Sequence, residues 1–259
     1  MTAARAARNC RSSPKHPDNQ LGEMTLANLL KDRVALITGA SRGIGAAVAK
    51  GFAAEGAHVI LTARTIGGLE EVDDDIQRAG GSATLVEMDL QDMPAIDRLG
   101  ANIYERWGKL DVLVANGGAL GQLTPIHQYD PKLWEEVIAV NLTANQRLVR
   151  SMDPLLRLSD AGRAIFVTST AARGARPFWG AYAVSKAALE AMIRSYAAEN
   201  VKSKLRINMI NPGATRTGMR AAAFPGEDPS SVKEPETLVP LFLELASPDC
   251  LTHGDLIDA

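Results

Sequence analysis

What this chain has little of narrows its class first. Its 259 residues include two cysteines, Cys10 and Cys250, and no CxxC. A disulfide framework is not expected, and a reducing cytoplasm suits such a chain. No run of 18 apolar residues occurs, so no transmembrane helix is expected. The formal net charge is only -2, which gives no electrostatic reason for a nucleic-acid or anionic-membrane partner. The four histidines, His16, His58, His127 and His253, have no metal-ligand spacing, so no metal is expected. No internal repeat or low-complexity linker interrupts the chain. What is present is ordinary for a globular protein: 46% hydrophobic and 22% charged residues, at a length that can bury a substantial core.

The first 24 residues stand apart. They carry Arg5, Arg8, Arg11 and Lys15 with no acid before Asp18. The stretch is Arg- and Ser-rich like an organelle transit peptide, but it has no apolar segment of the secretory kind. Residues 1–24 read as a disordered extension, or as sequence upstream of a start at Met24. Residues 25–259 read as one domain.

That domain has a regular rhythm. Short apolar strand patterns occur at Val34–Thr38, His58–Thr62, Ala83–Glu87, Val112–Ala115, Ala164–Thr168 and Arg206–Ile210, with a last one near Leu256–Ile257. Between them lie helical patterns. Three of these end in glycine, at Gly56, Gly80 and Gly108; a long one spans 131–156 and another lies near 235–246. Continuously apolar strands alternating with helices imply a parallel sheet covered on both faces. The expected fold is α/β, a single doubly wound parallel sheet of about seven strands. The long irregular stretch is 213–235, where a lid or binding loop is expected.

Two short stretches carry the chemistry. TGASRGIG (Thr38–Gly45) sits between the first strand and the first helix, where open α/β sheets bind ligands. Gly39, Gly43 and Gly45 allow a tight turn and close approach of a pyrophosphate to the helix N-terminus. The same residues match GxSxG, which would make Ser41 a hydrolase nucleophile with His253 as base. Only one strand precedes the motif, whereas a hydrolase elbow needs earlier ones. The second stretch is YAVSK (182–186), which places Tyr182 and Lys186 one helical turn apart on one face.

Taken in order, TGASRGIG, ANGG (115–118), Asn141, Ser169, YAVSK and NPG (211–213) resemble the short-chain dehydrogenase/reductase family. The resemblance covers about residues 29–259 and implies a Rossmann-type fold. WGAYAVSK and INPGATRTGMRAAAFPGEDP further resemble the YciK-like bacterial oxidoreductases within it.

The resemblance implies a set of roles. Tyr182 would be the general acid or base at a carbonyl or alcohol oxygen. Lys186 would lower the phenol pKa and hold the nicotinamide ribose. Ser169 would polarise the substrate oxygen, and Asn141 would hold a water for proton relay. The glycine turn, with Ser41, Arg42 and Ile44, would take the pyrophosphate side. Asp89, Leu90, Asn116 and Gly117 would line the adenosine side. Gly117 stands where the family usually has alanine, which should widen the turn little. Pro212, Gly213, Thr215 and Thr217 would line the nicotinamide and pyrophosphate, or the threonines would cap the loop. The second strand ends in Ala63–Arg64 with no acid, and Arg42 and Arg64 suit a 2′-phosphate, so the implied cofactor is NADP(H).

Leu120, Phe178, Trp179, Met219 and Phe224 could wall a substrate pocket. Arg173, Arg176, Arg216 and Arg220 could signal an anionic substrate, or be solvated loop charges. The chain closes on LTHGDLIDA, where family members usually continue. In the family that segment commonly covers the active site or a subunit interface, so the resemblance does not carry over the pocket shape or one tetramer contact. The expectation is an NADP(H)-dependent oxidoreductase acting on a small carbonyl or alcohol, cytoplasmic, and a homodimer or homotetramer. An NADP-binding sensor or scaffold without turnover is the alternative, and a serine hydrolase on Ser41 the remote one.

Overall fold

The computed structural model describes residues 28–259; the extension expected over residues 1–24 lies outside them. Seven strands form one parallel sheet in the order β3-β2-β1-β4-β5-β6-β7. They are β1 (Val34–Thr38), β2 (His58–Ala63), β3 (Ser82–Glu87), β4 (Val112–Ala115), β5 (Arg163–Val167), β6 (Arg206–Asn211) and β7 (Leu256–Asp258). The expected strands are all found, within one residue at most ends.

Strand periodicity builds two cores. Ala35 and Ile37 of β1 point to one face, with Val59 and Leu61 of β2. There they meet α1 (Gly43–Ala54), α2 (Ile66–Arg78) and α8 (Val239–Ala246) through residues such as Phe52, Leu69 and Phe242. Leu36, Ile60 and Leu113 point the other way. They pack on α3 (Met93–Trp107), α5 (Ala144–Leu158) and α6 (Gly180–Glu199) through Ile96, Leu148, Met152 and Leu189. Both faces are thus buried, as continuously apolar parallel strands require. Helix ends follow local chemistry. Asp92 caps α3 by accepting from the Ala95 N–H at 3.0 Å, and Gly108 closes it at φ 71°.

The chain runs outward from β1 to β3, then crosses back to place β4 on the other side of β1. This reversal opens a crevice at the carboxyl ends of β1 and β4.

Two regions differ from the sequence expectation. The long helix is α4 (Pro131–Ile138) and α5 joined by a π turn at Ala139–Thr143, which contains Asn141. Stretch 213–235 is not structureless. It carries α7 (Gly218–Ala223), a bridge between Thr215 and Lys233, and ion pairs Arg216–Glu234 and Arg220–Glu227. Charge pairing and the Thr217 cap supply local order that apolar periodicity could not signal.

Candidate active site

The crevice is a cleft of ≈ 620 Å³ that runs from the end of β2 to the mouth of α6. The turn after β1 forms its centre. Gly39 (φ 65°) and Gly43 (φ 56°) adopt backbone conformations that side chains disfavour. A Cβ on Gly39 would lie 2.8 Å from Gly117 Cα, and one on Gly45 2.3 Å from the Gly39 carbonyl. The glycines are therefore demanded by backbone contact. α1 starts with no acid in its first turn and no side-chain cap, so its N–H groups and dipole are free for an anion.

The loop after β4 braces this turn. Thr38 Oγ1 accepts from the Asn116 and Gly117 N–H groups at 3.0 and 2.9 Å. Asn116 Nδ2 donates to the Thr38 and Gly39 carbonyls at 3.0 and 3.3 Å. Asn116 lines the cleft, but its amide is spent on holding the two loops together. At Gly117 the turn is not widened. The space a Cβ would take is filled by Leu90, whose Cδ1 would lie 2.6 Å from it. Thr38 went unassigned in the sequence, although TGASRGIG begins with it.

Of the other cofactor candidates, Ser41, Arg42, Ile44, Arg64 and Asp89 line one end of the cleft, and Pro212, Gly213, Thr215 and Thr217 another part. Gly45 does not line it; it acts through backbone packing. Asp89 Oδ1 accepts from the Gln91 N–H at 2.9 Å and so shapes its loop. Thr215 Oγ1 donates to the Pro212 carbonyl at 3.0 Å, and Thr217 Oγ1 accepts from the Arg220 N–H at 3.1 Å. Both hydroxyls cap the loop, and Thr217 Cγ2 would lie 3.2 Å from a Cβ on Gly43. Arg42 and Arg64 are exposed, and neither belongs to an ion pair among the described residues.

At the far end α6 brings Tyr182 and Lys186 to the cleft, opposite Ser169. Lys186 is 4% exposed, and its Nζ donates to the Val167 carbonyl at 2.8 Å. Burial pulls its pKa down to about 8. Burial pushes the Tyr182 phenol up, and the Ser169 hydroxyl beside it offsets only part of that. The sequence expectation was a phenol lowered by the lysine. In this structure burial outweighs the Ser169 hydroxyl, and the ammonium sits 6.0 Å from the ring centroid.

Ser169 lies two residues past β5 and caps a short 3-10 turn, Thr170–Arg173. Its Oγ accepts from the Ala171 N–H at 3.2 Å, which leaves its own hydrogen to donate.

Asn141 is fully buried. Its Nδ2 donates to the Ala119 carbonyl at 2.8 Å and to Ser185 Oγ at 3.0 Å, and its Oδ1 accepts from the Ala119 N–H at 2.7 Å. Its own carbonyl accepts from Asn145 Nδ2 at 2.8 Å. The amide is a strut between the β4 loop and α6, and the second lone pair of its main-chain carbonyl stays unused by these bonds. Ser185 completes the strut by donating to the Tyr182 carbonyl at 2.7 Å. It sits inside YAVSK, which was the available signal. Gly118 was also missed: a Cβ there would lie 3.2 Å from Asn141 Oδ1 and 3.7 Å from Lys186 Nζ.

The substrate end is apolar. Leu120, Trp179, Met219 and Phe224 line it, with Trp179 edge-on to Tyr182 at 5.8 Å and tilted against Phe224 at 5.7 Å. Phe178 does not line it; it is 55% exposed at φ 73°. Three of the four loop arginines are ion-paired, and the fourth stacks on an aromatic ring. Arg173 holds Asp258 with two bonds of 2.8 Å, Arg176 stacks 5.5 Å from the Trp179 ring, and Arg216 and Arg220 are paired as above.

His253 cannot serve Ser41. Its Nδ1 accepts from the Ile207 N–H at 3.2 Å, and Nε2 meets the Ala197 carbonyl at 2.9 Å. The two ring nitrogens fasten the segment before β7 to β6 and to α6. No helix among the described residues is long and apolar enough to cross a membrane.

Comparison with known proteins agrees with this geometry. Over 225 residues the chain is 40% identical to YciK, an uncharacterised oxidoreductase of Escherichia coli strain K12, spanning 86% of this chain and 89% of that one. A short chain dehydrogenase of Shigella flexneri 2a, solved in complex with NADP, matches with TM-score 0.85 and 39% identity, over 89% of this chain and 98% of its own. One from Escherichia coli CFT073, complexed with NADPH, matches with TM-score 0.84 and 39% identity over the same shares. The short chain dehydrogenase family model matches residues 33–228, and with this sequence identity, sheet order and convergence of Ser169, Tyr182 and Lys186, the chain belongs to that family of oxidoreductases.

Proposed function

We propose that this oxidoreductase uses NADP(H) to interconvert a small carbonyl compound and its alcohol. The residues present fit that dinucleotide. The glycine turn leaves a cradle that a Cβ at Gly39 or Gly45 would close, and α1 offers unsatisfied N–H groups to a pyrophosphate. Arg42 and Arg64 are exposed guanidiniums at the end of the cleft where a 2′-phosphate would lie, and no acid stands after β2 to repel it. Lys186 and the 212–217 segment would hold the nicotinamide half. The crystallised relatives with NADP and NADPH support the same choice.

When bound, the nicotinamide supplies or accepts the hydride. The chain's own task is to manage the substrate oxygen. Ser169 Oγ–H donates to it and polarises the carbonyl. Tyr182 delivers the proton as negative charge develops, and in the reverse direction takes one. Burial holds the phenol above its ordinary value, so it is present as the proton donor near neutrality. Lys186, anchored on the Val167 carbonyl, keeps its remaining N–H donors for ribose hydroxyls and for returning the proton to Tyr182. Asn141 and Ser185 hold the β4 loop and α6 at a fixed separation, so that the proton donor does not drift.

The observation that carries this reading is that Ser169, Tyr182 and Lys186 line one cleft beside its apolar end. The test is NADPH oxidation across a panel of aldehydes and ketones, with NADH in parallel and Tyr182→Phe as control. Full turnover by Tyr182→Phe would overturn the mechanism, and tighter binding of NADH than NADPH would overturn the cofactor choice. The reading extends to a cytoplasmic homodimer or homotetramer. Sedimentation velocity checks the assembly.

A further inference from the structure

The charge at the substrate end of the cleft deepens the reading above, on which this inference rests. The one arginine of the four that lines the cleft there is already paired. Arg220 alone of the four lines the cleft, and its guanidinium is paired with Glu227, with Nε donating at 2.6 Å, and lies 3.8 Å from the Phe224 ring. Arg173, Arg176 and Arg216 do not line the cleft and are held by Asp258, Trp179 and Glu234. Lys186 belongs to the proton path, and Arg42 and Arg64 stand at the opposite end.

Among the residues that line this side of the cleft, the uncommitted charge besides the lysine is negative. Glu136, on α4, is half-buried and lines the cleft beside Val140 and Leu120. It also lines a second cavity of ≈ 470 Å³, which shares Ala119 and Glu136 with the cleft. Among the described residues its carboxylate has no cationic partner within 4 Å. A half-buried carboxylate in a cleft is less screened than one on open surface, so it discriminates ligand charge more strongly. The side cavity gives room for a substituent to reach past the reacting carbonyl towards it.

We infer that Glu136 is a specificity-determining residue, and that the substrate is an apolar, ring-sized carbonyl compound bearing an amine or other cationic group. The Trp179, Met219 and Phe224 wall takes the apolar body. Glu136 takes the ammonium as a charge-assisted hydrogen bond and repels carboxylates and phosphates.

Three acetophenones test this, each with a para substituent one methylene from the ring: an ammonium, a methyl or a carboxylate. The methylene keeps the carbonyl electronically similar across the set. Two quantities are read for each: kcat/KM for NADPH oxidation, and direct calorimetric binding to NADP-saturated protein. The ammonium compound is expected to exceed the carboxylate by roughly ten-fold or more. In Glu136→Gln that ratio should collapse towards one, and in Glu136→Lys it should invert. Because the ratio is taken within each variant, a general loss of activity does not mimic the effect. A preference for the carboxylate, or a ratio unchanged in Glu136→Gln, overturns the inference. Absence of turnover with all three compounds, with the binding order intact, would instead sink the carbonyl-reductase reading and leave the charge selection standing.

Discussion

Lys186 Nζ donates to the Val167 carbonyl at 2.8 Å, and one helical turn further Glu190 accepts the Thr168 hydroxyl at 2.9 Å. Two consecutive residues of the chain leaving β5 are thus tied to one face of α6, immediately before Ser169. The proton donor and the polarising hydroxyl are set against each other by main-chain and side-chain bonds, not by loop packing alone.

The buried lysine has a stability cost with a definite pH signature. Its pKa falls from 10.5 to about 8, which corresponds to about 3 kcal/mol against the charged form. The unfolded state binds the proton more tightly, so stability attributable to this group rises as pH climbs from about 8 towards 10.5. Lys186→Met removes that penalty and loses one hydrogen bond worth about 1 kcal/mol. The variant should be more stable than wild type by about 2 kcal/mol at pH 7, with activity lost. Urea unfolding at pH 7 and pH 10 checks this. A stability gap that does not narrow at the higher pH would contradict it.

Glu190 is a positioning residue for Ser169. It is buried, accepts from Thr168 just before the serine, and draws Arg173 at the end of the turn Ser169 caps, at 3.9 Å. Glu190→Gln keeps an acceptor for Thr168 and should retain most of the rate. Glu190→Ala leaves a buried hydroxyl unpaired, at a cost of about 1–3 kcal/mol. It should lower kcat by roughly ten-fold while the Kd for NADPH holds. An equal loss in both parameters would point to a merely structural role.

These relationships mark the limit of what the chain reveals before folding. The seven strands were legible because each is a short apolar run closed by a glycine or polar turn, and β1 and β4 match residue for residue. The ordered motifs placed Ser169, Tyr182 and Lys186 on one cleft. Three things were not legible. The π turn at Asn141 has the same apolar spacing as plain helix, so nothing local announces it. The order within 213–235 comes from ion pairs between residues seven and eighteen apart, such as Arg220–Glu227 and Arg216–Glu234. The direction of the Tyr182 shift depends on burial, which neighbours in sequence do not report.

The two exposed arginines should divide the cofactor preference between them. A charge-assisted hydrogen bond contributes about 1.5–3 kcal/mol. Arg42→Ala and Arg64→Ala should each raise the KM for NADPH by roughly ten-fold to a hundred-fold, with the KM for NADH nearly unchanged. Steady-state kinetics with both nucleotides measures this. A parallel loss with NADH would assign the arginines to the pyrophosphate or to folding instead.

Adjacent glycines in the β4 loop should respond in opposite ways to the same methyl group. At Gly117 the obstacle to a Cβ is the tip of the Leu90 side chain, which can rotate aside, and Thr38 Oγ1 is next at 3.3 Å. Gly117→Ala should fold with a Tm within about 3 °C of wild type and keep most of its activity, as a ΔΔG below about 1 kcal/mol allows. At Gly118 the nearest atom is Asn141 Oδ1 at 3.2 Å, which is fixed by its bond from the Ala119 N–H, and Lys186 Nζ follows at 3.7 Å. The lysine contact is an ordinary one, but the amide oxygen cannot retreat without straining the strut. Gly118→Ala should therefore lose kcat by roughly ten-fold or more through displacement of Asn141 and the α6 residues it holds, with a smaller effect on NADPH affinity. Thermal melts and kcat of the two variants side by side decide it, and an inactive Gly117→Ala beside an active Gly118→Ala would reverse the assignment.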